Sequence, residues 1–166
     1  MDMLLHRRML VLVAGVALAL AVVLVLLPRA SSAAPPGDVD VEDVTLPGCD
    51  FPVEADVSGK SKVTDLPSGQ TLITSPNLRI TLTNLDETTN QVTYVITGSF
   101  LTTEQDDGNL FVEARGSNLI FGPEVGIFLT IGQFTFTGFE ADEGVVVATT
   151  PPTGEGSLTD VCAVLA

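Results

Sequence analysis

Beyond residue 50 the chain alternates apolar and polar residues with a period of two. Phe51, Val53, Ala55 and Val57 interleave with Pro52, Glu54, Asp56 and Ser58, the pattern of a strand with one buried face. Pro52 near its start points to an edge position or a strand beginning, because proline cannot donate to a ladder. Gly59-Lys60 reads as a turn, and residues 61–66 as a weak strand closed by Pro67-Ser68-Gly69. Leu78, Ile80 and Leu82 alternate with Arg79, Thr81 and Thr83, and Val92, Tyr94 and Ile96 repeat the pattern. β-Branched residues dominate both runs, as pleated surfaces favour. Residues 86–90 between them read as a hairpin loop. A second hairpin is predicted at Asp107-Gly108, between residues 100–105 and the alternating Leu110, Val112 and Ala114, because glycine accepts positive φ at a tight turn.

From Leu119 the pattern changes. Leu119-Ile120-Phe121, Ile127-Phe128-Leu129, Phe134 and Phe136 are apolar on both faces, as in strands covered on both sides. Val145-Val146-Val147 predicts a further strand, and residues 157–165 a last one carrying Cys162. Gly126, Gly132, Gly138 and Gly144 recur every six residues. Hexad repeats can build a β-helix, but that fold stacks several units. Turns and bulges in an antiparallel sheet explain these glycines more simply. No stretch past the leader holds apolar residues at helical spacing over ten positions. The expected fold is therefore all-β: a single antiparallel β-sandwich or closed β-barrel of about eight to ten strands.

The first 34 residues follow different rules. His6, Arg7 and Arg8 precede an uncharged apolar run from Met9 to Leu27, and small residues follow at 30–34. A basic start, an apolar middle and a small-residue exit describe a secretory signal peptide, with cleavage expected near Ser32 to Ala34. The run is 19 residues long, close to the ~20 that span a bilayer, so an uncleaved N-terminal apolar anchor helix is the alternative. Either version leaves the basic end inside and the domain outside. The Arg7-Arg8 pair leaves general secretion and twin-arginine export both open. The division expected is a leader over 1–34, an acidic linker over 35–46 and an all-β domain over 47–166.

Charge narrows the function. Residues 35–166 carry 20 acidic side chains against Lys60, Lys62, Arg79 and Arg115, a formal charge of −16. That disfavours nucleic acid, whose phosphates need Lys and Arg, and anionic membrane surfaces for the same reason. Membrane contact is expected only through residues 9–27, if they are retained. The only histidine is His6, in the leader. A Ser-His-Asp or Cys-His device and His-ligated zinc are thereby excluded from the domain. Carboxylates remain, and a facing pair can hydrolyse glycosides. Glu113, Glu124 and Glu140 are candidates, yet there is no Trp and one Tyr to stack a sugar ring. Tyr94 sits on the apolar side of its strand and reads as core. Calcium is the one cofactor considered, through Glu104, Asp106 and Asp107 or through Glu140, Asp142 and Glu143. Neither cluster has the ligand spacing of a helix-loop-helix calcium site, and both suit ordinary hairpin tips.

Cys49 and Cys162 are the only cysteines. An even pair in an exported chain reads as a disulfide, here a clasp joining the first and last strands. A redox role would need a basic setting, whereas Asp50 and Asp160 flank the pair.

The segments Asp107-Gly108-Asn109-Leu110, Arg115-Gly116-Ser117-Asn118-Leu119-Ile120-Phe121 and Asp160-Val161-Cys162-Ala163-Val164-Leu165 resemble small exported β proteins of high-GC Gram-positive bacteria. The resemblance spans most of the domain and implies export and a β fold; that group has no established activity, so it implies no site residues. Three functions fit. The first is a non-catalytic envelope or extracellular module that binds a partner or serves structure. The second is a carboxylate-only glycan hydrolase. The third is a carrier of a small apolar ligand, if a barrel closes around a cavity lined by Phe128, Phe134 and Phe136.

Overall fold

The computed structural model describes residues 34–141 and 145–166. The signal or anchor segment falls outside them, as do Asp142, Glu143 and Gly144. No helix among the described residues is long and apolar enough to cross a membrane.

Ten strands form one connected antiparallel sheet: β1 (Gly37–Leu46), β2 (Val53–Asp65), β3 (Thr71–Thr74), β4 (Leu78–Asn84), β5 (Gln91–Ile96), β6 (Ser99–Glu104), β7 (Leu110–Gly122), β8 (Gly126–Glu140), β9 (Val146–Ala148) and β10 (Thr153–Asp160). Their order is β10-β8-β7-β6-β3-β2-β4-β5, with β1 added to β2 and β9 to β8. The sheet is open: β5 and β10 end the path, so the expected barrel closure does not occur. Both predicted hairpins form, β4–β5 through residues 85–90 and β6–β7 around Gly108, whose φ is +81°.

A glycine crease crosses the sheet. Gly116 of β7 pairs with Gly132 of β8, which pairs with Gly156 of β10. A Cβ on Gly116 would lie 3.1 Å from the Gly98 Cα, so the line runs on through the break between β5 and β6. It continues through the break between β3 and β4, where Asn77 has a φ of +62°, to Gly59 of β2 at +133°. On one side of it β2 pairs with β4 and on the other with β3, while β1 pairs with β2 along both sides, from Val53 to Ser61. Gly59 is thus a kink within one strand and not the expected turn, and β2 runs through it. Val53 and Pro52 begin a strand held between β1 and β4, so only the strand-beginning reading of Pro52 stands. Gly126, Gly132 and Gly138 all fall in β8, which pairs antiparallel on both edges and leaves no β-helix coil.

Folding at this crease creates two cores. The first joins Val53, Ala55, Ile80 and Leu82 from β2 and β4 to Leu119, Ile127 and Leu129 from β7 and β8. The second gathers Val112, Ala114, Ile120, Phe134, Phe136 and Ala148. Leu119 and Ile120 are adjacent on β7 and serve different cores, which is why this stretch is apolar on both faces. At the tip of the β7–β8 hairpin, Gly122 packs on the Ala148 carbonyl so closely that a Cβ would collide with it.

Two elements differ from expectation. Residues 37–46, expected as a linker, form β1, and the compact unit begins at Pro35. The last strand stops at Asp160, and Val161–Leu165 form a short helix, α1. The Asp160 carboxylate accepts from the Ala163 N–H at 3.2 Å and caps it. Helical geometry puts Val161 and Leu165 on one buried face, where the period-two reading had placed both along a strand. Asn84 and Asn90 donate through Nδ2 to the Leu165 carbonyl at 3.0 and 3.2 Å. The Cys49–Cys162 disulfide forms, with its Cα atoms 5.4 Å apart. It joins the β1–β2 connection to α1, and not two strands.

Candidate functional site

The acidic candidates scatter. Asp106 and Asp107 occupy the β6–β7 turn, where the Asp107 carboxylate accepts from the Asn109 amide N–H at 3.0 Å and from its Nδ2 at 2.9 Å. The Asn109 side-chain bond, with the backbone bond second, holds the Asp107 carboxyl below its ordinary range. Asp107 is thereby occupied as a turn former. Glu113 faces solvent beside Arg115 at 3.9 Å. Glu124 lies at the β7–β8 tip. Glu104 and Glu140, one from each proposed calcium cluster, do meet around a hollow of about 240 Å³, together with Asp65. All three are exposed, and no aromatic ring lines the hollow, so a sugar has nothing to stack on. Burial raises the Tyr94 phenol above its ordinary 10.0, in keeping with its packing against the first core.

The structure brings together three other carboxylates, Asp43, Glu54 and Asp56, whose oxygens lie within 4.8 Å of one another. Sequence reasoning missed them because a bulge assembles them. Val41 pairs with Val57 and Val44 with Ala55, so Glu42 and Asp43 together face Asp56. Asp43 adopts a φ of +60° there, and its N–H donates to the Asp56 carboxylate at 3.1 Å.

That bulge has a second effect. Opposed residues in an antiparallel pair share a face. Leu46 opposes Val53 and Val44 opposes Ala55, so both face the first core. Val41 opposes Val57 and Val39 opposes Gly59. The one extra residue shifts the phase, so Val39, Val41, Val44 and Leu46 all face inward despite their uneven spacing. Leu46 is 7% exposed, but Val41 and Val44 remain 43% and 38% exposed. They do so because they look onto an open cleft and not onto packed side chains.

The cleft has a volume of about 640 Å³. β1 contributes Val39, Val41 and Val44 to it, and β7 contributes Leu119 and Phe121. Val145 and Val146 lie at its other side of the chain order, and Ile73, Leu78, Ile96 and Phe100 complete the apolar lining. Asn118, Ser61 and Ser75 are the neutral polar residues, and Asp38 and Asp40 the only charged ones. Phe134 and Phe136 lie in the second core at 4% exposure and, like Phe128, outside this lining. None of those three rings therefore lines this cleft, and Phe100 and Phe121 supply its aromatic surface. A mostly apolar concavity of several hundred Å³ with a few polar groups has the make-up of a binding site.

Comparison with protein-family models, with curated proteins and with solved structures yields no match to this chain.

Proposed function

We propose that this chain is an exported, non-catalytic binding module of an envelope or extracellular space, and that the cleft beside β1 receives apolar groups of its partner. The cleft carries this reading. Val41, Val44 and Val145 leave 43%, 38% and 45% of their surface exposed along it. Contiguous apolar exposure of that kind marks interaction surfaces. The secretory pattern of the leader and the Cys49–Cys162 disulfide support export, because such bonds persist in oxidising compartments. The lack of any imidazole beyond His6 supports a role without general acid–base histidine.

The test uses Nile red, an uncharged dye whose emission rises in apolar surroundings. Titration of the disulfide-bonded protein gives saturable enhancement, and Val41→Asp and Val44→Asp each weaken it. Saturation that both variants leave unchanged would place the dye elsewhere, and no saturable signal would remove the cleft as a binding site.

A further inference from the structure

We infer that the cleft is closed by an extended peptide segment of a partner protein, added antiparallel or parallel to the free edge of β1 and alternating apolar with basic residues. This inference rests on the binding reading above and names the class of partner.

Three observations converge on β1. First, β2 is its only ladder partner among the described residues, so its outer row of N–H and C=O groups is unpaired. Such an edge is a template for strand addition. Second, its two faces are chemically opposite. Val39 and Val41 point into the cleft, while Asp38 and Asp40, one residue out of phase, alternate with them along its β1 rim. A strand laid beside β1 shares that alternation, so its inward side chains enter the cleft and its outward ones stand beside the acids. Third, the outer face asks for cations. Asp38 already pairs with Lys60 across β2 at 2.9 Å, which shows a lysine accommodated there, and Asp40 has no ion pair among the described residues. With 20 acids against four bases in residues 35–166, the surrounding field steers positive segments in and anionic ones away. A second copy of this chain would bring another acidic edge and is disfavoured on the same ground. A small molecule would fill the cleft but leave the edge amides of β1 unpaired.

The experiment measures fluorescence anisotropy of a short labelled peptide alternating lysine with valine, titrated with the disulfide-bonded protein. A glutamate–valine peptide and a lysine–valine peptide N-methylated on alternate amides serve as comparisons. The expected result is saturable binding of the first peptide alone. Asp38→Lys/Asp40→Lys, which leaves the cores untouched, weakens it by about tenfold or more through lost pairing and steering. Val41→Asp weakens it through the cleft, with circular dichroism checking that the sheet persists. Binding that survives N-methylation would be ionic adhesion without strand pairing and would overturn the inference, as would equal binding of the glutamate peptide. If Nile red binds saturably and no peptide does, the strand partner falls while the cleft stands as a small-molecule site. If neither binds, both readings fall.

Discussion

Replacing Gly132 by alanine tests whether the crease is what lets this sheet fold over itself. Gly132 sits mid-strand in β8 with a φ of +141°, flanked across the ladder by Gly116 and Gly156. Two costs arise. An L-residue held at such a φ is strained by about 1–3 kcal/mol. The new Cβ would also collide with the Glu155 carbonyl oxygen of β10 and lie 2.9 Å from the Gly156 Cα. These are backbone atoms, so relief requires moving a strand, and overpacking of that sort costs about 1–3 kcal/mol more. The expected loss is therefore about 3–5 kcal/mol, within the roughly 5–15 kcal/mol of a stable domain. Gly108→Ala supplies the control. Its φ is +81°, but a Cβ there meets nothing within 4 Å, so only a backbone cost of about 1–2 kcal/mol applies. Urea unfolding of both variants, compared at matched slopes, isolates the close approach as a difference of about 2 kcal/mol. Hydrogen exchange should place the damage in the β8–β10 ladder. Equal losses for the two variants would mean that β10 does not bear on Gly132 and that the crease is not a packing requirement.

The disulfide closes a loop with a sequence separation of 113, and the chain-entropy relation gives about 5 kcal/mol as its upper contribution. Cys49→Ala/Cys162→Ala should lower the urea-derived stability by about 2–5 kcal/mol, and either single variant should cost nearly as much as the pair, because one change already breaks the bond. A loss below about 1 kcal/mol would show that α1 and the first core hold the ends without it. Tyr94 is the sole tyrosine in a chain without tryptophan, so absorbance near the phenolate band titrates it alone. Its midpoint should lie above 10.0, because burial penalises the phenolate. Its folded value being the higher, it contributes stability that is complete below the unfolded value and lost as pH rises through the folded one. A midpoint at or below the ordinary value would show the ring in open solvent.

The strands were legible wherever one face meets a core and the other meets water. Leu78–Asn84 and Gln91–Ile96 alternate without interruption and pair in the expected hairpin. The both-faced apolar stretch around Leu119 and Ile127 was legible for the complementary reason, since each face meets its own core. What failed were places where one signal has two physical meanings. A glycine in such a pattern commonly marks a turn, yet the positive φ of Gly59 serves a kink inside a 13-residue strand. Val161 and Leu165 satisfy both a period of two and a spacing of four. The Asp160 cap at one end and the Asn84 and Asn90 bonds to the Leu165 carbonyl at the other hold it as helix, and neither is a matter of hydrophobic pattern. Closure of the sheet was not legible at all. It depends on whether β5 and β10 meet, and no residue of either strand encodes that alone.

The cleft shows the same limit more sharply, and also its remedy. Residues 37–46 read as linker because acids crowd them, but charge obscured a pattern that was present. Val39 and Val41 keep one phase, Val44 and Leu46 keep the other, and two acidic residues separate the pairs. Two apolar phases interrupted by two polar residues are the signature of a bulged strand whose bulge realigns its faces. Once β1 is read in that way, its consequences follow in order. A strand with four inward apolar residues must have something to cover. An edge strand that is acidic outside is protected against pairing with copies of itself. The half-exposed valines then mark the part of that inward face the domain itself does not fill. The carboxylates, by contrast, gave no such lead. Of the six weighed for calcium, Glu104 and Glu140 share a hollow only because β6 and the end of β8 converge there. Their convergence is a property of strand order, and strand order is written in long-range packing and not in the spacing of acids along the chain.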